Sequence, residues 1–144
     1  MARPILYATD FSDISANAFD EAVNLCKSTH AELVVAHILH YPPMLSELRP
    51  MAEDVEEKMR VWCKHRLSEM VAKAGAAGVT ARAVLREGVH PHAGIDDLAA
   101  ELNAERIVMG THGRTGLSKM VMGSVAARVI VGAPCPVVTV HAAA

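Results

Sequence analysis

The sequence predicts an α/β fold in which one doubly wound, five-stranded parallel sheet, in the order 3-2-1-4-5, carries helices on both faces. Short apolar runs alternate with segments of helical periodicity along the chain, the pattern of a parallel sheet covered on both sides. Aromatic residues make up only 3% of the 144 residues although 51% are hydrophobic, so the core must be built from aliphatic side chains and Met. Glycines punctuate the passage from a buried run, Ile107-Val108-Met109, to a helical segment beginning after Gly123. Residues 1–144 are read as a single domain, since a chain of this length sits within the usual domain range.

The elements follow in order. Pro4 to Thr9 is the first strand, and Asp10-Phe11-Ser12-Asp13 leads into a helix that Ser12 or Asp13 can cap. Ile14, Ala18, Ala22 and Leu25 or Cys26 recur on one face of that helix. Glu32 to Leu39 is a buried strand, and His40-Tyr41-Pro42-Pro43 ends it because two prolines forbid regular structure. A long helix starts at Met51, with Val55, Met59, Trp62, Arg66 or Leu67, Met70 and Ala74 as its inner stripe and Gly75 and Gly78 around its end. Val79 to Leu85 alternates and belongs at or near a sheet edge, and Gly88 breaks it. Pro91 opens a third helix whose buried face is Ile95, Leu98, Ala99 and Leu102. Arg106 to Met109 is the fourth strand, a short helix ends at Gly132, and Pro136 to His141 is the fifth strand.

Charge and cysteine usage exclude several classes. A net charge of -2 gives no general attraction to nucleic acid or anionic membrane, so any anion must be bound locally. Cys26, Cys63 and Cys135 are far apart and form no CxxC, which signals neither a zinc site nor a disulfide framework and fits cytoplasmic thiols. No segment approaches the roughly 18 apolar residues needed to cross a bilayer, and a soluble, unexported protein is expected.

The stretch GTHGRTGLSKMVMGS, residues 110 to 124, reads as a phosphate cradle. Glycine lets a ligand approach the backbone without meeting a Cβ, and the first N–H groups of a helix have no internal partner. The same glycines would also serve a long loop and a tight turn. In the 3-2-1-4-5 order the winding reverses between strands 1 and 4, where ligands of doubly wound sheets bind. Asp10 and Gly110 end those two strands. A carboxylate facing a phosphate cradle matches the two ends of a nucleotide, with ribose hydroxyls by Asp10 and a base against the main chain near His37-Ile38. Asp10 could equally serve as a helix cap or a solvated turn carboxylate.

These residues resemble the universal stress protein family, in its ATP-binding branch. The resemblance rests on Gly110, Gly113, Gly123 and Ser124 in the pattern Gly, two residues, Gly, nine residues, Gly-Ser. It extends to Ala8-Thr9-Asp10-Phe11-Ser12, Ala36-His37-Ile38, Ile107 to Gly110 and Cys135 to Val140, and so covers the whole chain. Ala8 departs from it, standing where the family often has proline. The resemblance implies a Rossmann-like fold of the adenine nucleotide alpha hydrolase type. It implies that Asp10 contacts ribose, that Ile38 offers its main chain to adenine, and that Gly110, Gly113, Gly123, Ser124 and Val125 surround the phosphates. Ala8, Thr9 and Met109 at the strand ends and His112 and Arg114 in the loop complete the candidate nucleotide-binding set. It further implies ATP, or ADP or AMP, as ligand and a homodimer. Pro136 to His141, a short apolar strand that would otherwise remain an unpaired edge, is the expected dimer contact.

The expected chemistry is limited. The loop is not a Walker A loop, because Gly-x4-Gly-Lys-Ser/Thr does not occur. Lys119 and Arg114 could neutralise phosphate charge or be solvated. His112 is the best candidate base, although a loop histidine also serves as a simple hydrogen-bonding residue, and no catalytic set can be assigned. His90 and His92 flank Pro91 without a carboxylate or thiolate at ligand spacing, so no metal site is expected, and Mg2+ would ride on the nucleotide phosphates. The function expected is an ATP-binding, nucleotide-responsive stress module with little or no ATPase activity, acting through an unknown protein partner. A slow ATPase or phosphotransferase and a dimeric scaffold with an idle cavity are the alternatives.

Overall fold

A computed structural model describes residues 2–12, 16–41, 51–88, 90–111 and 122–141. Strands β1 (Ile5–Ala8), β2 (Leu33–Leu39), β3 (Ala81–Glu87), β4 (Arg106–Gly110) and β5 (Val137–Val140) form one parallel sheet in the order β3-β2-β1-β4-β5. Helices α1 (Ala16–Thr29), α2 (Met51–Ala76), α3 (Pro91–Leu102) and α4 (Ser124–Gly132) make the crossovers. The predicted order is the observed one.

Alternation along the central strands splits the core in two. Ile5 and Tyr7 of β1, Leu33, Val35 and Leu39 of β2 and Val108 of β4 pack under α1 and α2. Leu6, Ala8, Val34, Ala36, Ile38, Ile107 and Met109 pack under α3 and α4. Because successive strand residues point to opposite faces, both layers of β1 and β2 must be apolar, and every residue of these two strands is buried. The chain winds β1-β2-β3 on one side, then crosses to β4 and β5 on the other, so β1 pairs with β2 and with β4. That reversal opens a crevice beyond the carboxyl ends of β1 and β4.

The two sheet edges differ. β3 carries Arg82, Arg86 and Glu87, which pair with Glu32, Glu101 and Arg60, a charged edge that resists pairing with another strand. β5 has the sequence VVTV with every residue half-buried, and Ile130 and Val131 on neighbouring α4 are 44% and 89% exposed. Pro136 and His141, included in the expected fifth strand, fall just outside β5.

The α2 stripe needs correction. Of the residues predicted to face inward, Leu67 and Ala74 are fully buried and Met59 and Met70 pack against the core, but Met51, Val55 and Trp62 are exposed, and Ala52 and Cys63 are buried in addition. The apolar row is real, but its first half overhangs the carboxyl end of the sheet and faces a cavity there. The remaining shifts are at element ends. β3 begins at Ala81 and extends to Glu87, and Gly88 ends it with a φ of +79°, in the left-handed region that glycine favours. Pro91 is the first residue of α3, as its fixed φ suits. The expected contributions of Asp13 and Ile14 to the start of the first helix lie outside the described residues.

Candidate functional site at the sheet crevice

The turn after β1 is held by successive side-chain bonds to the backbone. The Phe11 N–H donates to Thr9 Oγ1 and the Ser12 N–H donates to Asp10 Oδ1, each at 2.9 Å. These bonds stabilise Phe11 at a φ of +65°, a conformation that costs a bulky residue about 1–2 kcal/mol. The distortion turns the buried Phe11 ring against His37, with centroids 4.4 Å apart, and against Trp62 of α2, at 5.3 Å. Such strain clusters at functional sites. Asp10 thus engages a main-chain N–H in a local turn, as the simpler reading of it expected, and also lines the crevice.

Across the crevice, Gly110 ends β4 and Thr111, 1% exposed, is clamped at both main-chain groups. Its N–H donates to the Val140 carbonyl at 3.0 Å, and its carbonyl accepts the Gly123 N–H at 2.7 Å. The start of α4 is thereby tied back to the end of β4. Gly123 is the N-cap, the first helical bond runs from the Ala127 N–H to its carbonyl, and no side chain caps the helix. The N–H groups at Ser124, Val125 and Ala126 come before that bond, at the positive end of the helix dipole, and those residues line the crevice.

The cavity between these two turns has a volume of about 1260 Å3. Ala8, Thr9, Asp10, Ile38, Met109, Gly110, Gly123, Ser124 and Val125 all line it, so every candidate within the described residues converges on one site. His112, Gly113 and Arg114, together with Lys119, lie outside the described residues. Asp10 is the only carboxylate among the described lining residues, against Lys58 and Arg66 as cations. One carboxylate, two cations and a helix N-terminus favour a ligand with net negative charge over a bare metal ion.

Sequence reasoning missed the wall that α2 supplies. Val55, Lys58, Met59, Trp62, Cys63 and Arg66 line the cavity, and the Arg66 guanidinium lies 5.6 Å from the Phe11 ring centroid and 5.4 Å from that of Trp62. The signal was a charged residue inside an apolar stripe. His40, His90 and His92 form a ladder beside the cavity, with centroid separations of 5.2 and 5.9 Å and tilts of 31° and 22°. Among the described residues, no group of three or more His, Cys, Asp or Glu side chains is placed to hold a metal ion. No helix is long and apolar enough to cross a membrane among the described residues.

A doubly wound parallel sheet with a glycine-lined crevice at its reversal point defines a Rossmann-like α/β protein with a candidate ligand site beyond the carboxyl ends of β1 and β4. The model of the universal stress protein family matches residues 1–141, and the chain belongs to that family. A universal stress protein of Methanocaldococcus jannaschii is 34% identical over 96% of this chain and 81% of its own. Protein MJ0577 of the same organism shares the fold, with a TM-score of 0.85, 24% identity and coverage of 97% and 96% of the two chains. A universal stress protein of Archaeoglobus fulgidus solved in complex with dAMP has a TM-score of 0.70 and 27% identity, over 95% of this chain and 96% of its own.

Proposed function

We propose that this universal stress protein binds ATP at the crevice and works in the cytoplasm as a nucleotide-responsive stress module with little or no ATPase activity. The observation that carries the reading is the convergence of Asp10, Ile38, Gly110 and Gly123-Ser124, from four separate segments, on one cavity. In this reading ribose hydroxyls donate to Asp10, the main chain at Ile38 reads adenine, and the N–H groups at the start of α4 take phosphate. The dAMP complex of the Archaeoglobus relative supports an adenine nucleotide as the class of ligand. ADP and AMP would fit the same contacts, and Mg2+ would arrive on the phosphates, since the one lining carboxylate among the described residues makes no magnesium cage.

Efficient phosphoryl transfer needs a metal, an oriented nucleophile and a charge clamp held in line. His37, the most buried imidazole of the site, donates from Nδ1 to the Thr9 carbonyl and packs on Phe11, contacts that support the turn after β1. Bound nucleotide would instead fix the conformation of the 110-to-124 loop, and a protein partner would read that surface. Isothermal titration with ATP tests the proposal. Saturable binding, weakened about tenfold or more by Asp10→Ala and by Gly113→Val, is the expected result. Absence of saturable binding would refute it, and turnover typical of an NTPase that His112→Ala abolishes would establish the enzymatic alternative.

The protein also acts, in this proposal, as a homodimer through β5. The contrast between the charged β3 edge and the uncharged VVTV edge favours pairing of β5 with a second copy.

A further inference from the structure

We infer that the cavity holds a second subsite, built by Phe11, Trp62 and Arg66 on the α2 side of the sheet, for a planar aromatic group linked to an anion. The ligand class it fits best is a dinucleotide, two nucleosides joined through a phosphate bridge. This rests on the nucleotide reading of the crevice and extends it.

The cavity wraps around the carboxyl edge of the sheet and reaches both of its faces. Ala8, Ala36, Ile38, Ile95, Met109 and Ala126 belong to the core layer under α3 and α4. Phe11, Leu39, Met59 and Cys63 belong to the layer under α1 and α2, yet they line the same space. Adjacent β2 residues such as Ile38 and Leu39 point in opposite directions, so a cavity that touches both has a lobe on each side. Its volume of about 1260 Å3 exceeds the roughly 300–1000 Å3 of ordinary small-molecule sites. A mononucleotide with phosphates at the start of α4 and its base at Ile38 occupies the α3-α4 lobe and leaves the other.

The chemistry of that other lobe is specific. Arg60, Arg82, Arg86 and Arg106 each pair with a glutamate. Arg66 pairs with no carboxylate among the described residues; its guanidinium is held instead by the rings of Phe11 and Trp62. A guanidinium fixed on two rings at the wall of a cavity offers its N–H fork to a phosphate. Trp62 is 47% exposed and lines the same lobe, so part of its indole is open to a base. Lys58 stands one turn away, paired among the described residues with Asp54 at 3.2 Å in a contact where both side chains are largely solvated. A bridge of several phosphates would run from the start of α4 towards Arg66, with the second base against Trp62.

The full-length protein is titrated calorimetrically with ATP and with diadenosine tetraphosphate in the same magnesium buffer. Trp62 is the only tryptophan, so its fluorescence reports the second lobe directly. The dinucleotide is expected to bind about tenfold tighter than ATP and to quench Trp62 more deeply. Arg66→Gln and, separately, Trp62→Leu should each weaken the dinucleotide several-fold more than ATP and so remove most of that advantage. Equal affinities for the two ligands in the unmodified protein, or variants that weaken both ligands alike, would overturn the second subsite and leave the ATP reading intact. Failure of ATP itself to bind would remove the first subsite, and the second with it.

Discussion

His37 Nδ1 lies 2.7 Å from the Thr9 carbonyl oxygen, so the imidazole of β2 donates its proton to the main chain at the end of β1. A carbonyl can only accept, which fixes the tautomer in the neutral ring, with hydrogen on Nδ1. The same ring stacks on Phe11, and the two contacts together hold the turn that presents Asp10 to the crevice. Replacing His37 by Phe keeps a ring against Phe11 but removes the donor. A loss of about 1–2 kcal/mol in urea unfolding is expected, together with weaker ATP binding. An unchanged unfolding midpoint would show that the bond contributes nothing.

Tyr41 and Glu87 should link stability to pH at both extremes. The Tyr41 hydroxyl donates to Glu87 Oε1 at 2.6 Å, and Arg60 Nε donates to the same oxygen at 2.8 Å. Burial, reinforced by the Glu87 carboxylate, pushes the Tyr41 phenol from 10.0 up to about 12. The Tyr41 hydrogen bond, with Arg60 adding to it against partial burial, lowers Glu87 below 4.5. The raised phenol stabilises the fold below pH 10 and loses that contribution as pH climbs towards 12. The depressed carboxylate stabilises the fold above pH 4.5 and loses its contribution as pH falls through its folded value. In a Tyr7→Phe background, where Tyr41 is the sole phenol, absorbance titration should find its midpoint near 12, and Glu87→Gln should move it towards 10. Glu87→Gln should also flatten the acid limb of stability. A Tyr41 midpoint already at the ordinary value would refute the coupling.

Cys26 should be inert in the folded protein. It is 2% exposed, and burial, with the negative charge of Glu105 adding to it, raises its thiol from 9.0 to about 11. The thiolate is the reacting form, so alkylation at about pH 8 should wait on unfolding, with peptide mapping finding Cys26 unmodified until denaturant is added. Modification at the rate of a free thiol in the native protein would contradict this placement.

Val138 sits in the uncharged edge strand β5, paired on its inner side with Val108. If that edge joins two copies, Val138→Asp should convert a dimer to a monomer at micromolar concentration, read by light scattering after size exclusion. Arg82→Ala on the opposite edge serves as the control and should leave the oligomer unchanged. A Val138→Asp protein that remains dimeric would place the interface elsewhere.

The sequence was most legible where a physical constraint is local. Gly123 followed by Ser124 marked the start of α4, Pro91 marked the start of α3, and the buried run at Leu33 to Leu39 could hardly be anything but a central strand. Strand order followed as well, because parallel crossovers admit few arrangements. The glycine spacing from Gly110 to Gly123 pointed to the crevice for the same reason: it describes backbone access at one strand-to-helix junction.

The α2 wall was illegible because periodicity identifies an apolar face but not what stands opposite it. Val55 and Trp62 read as core from spacing alone, and only the position of α2 beyond the end of the sheet turns them to a cavity. The left-handed Phe11 was equally hidden, since no local preference puts a bulky residue at positive φ. The bonds from Thr9 and Asp10 and the packing of the Phe11 ring on His37 and Trp62 outweigh its strain, and they unite β1, β2 and α2. The sequence by itself determined the elements, their order and the glycine-bounded turn into α4, because those depend on neighbours along the chain. Only the tertiary structure decided that Arg66 lies on Phe11 at the cavity wall, because that placement depends on two segments more than fifty residues apart meeting at one sheet edge.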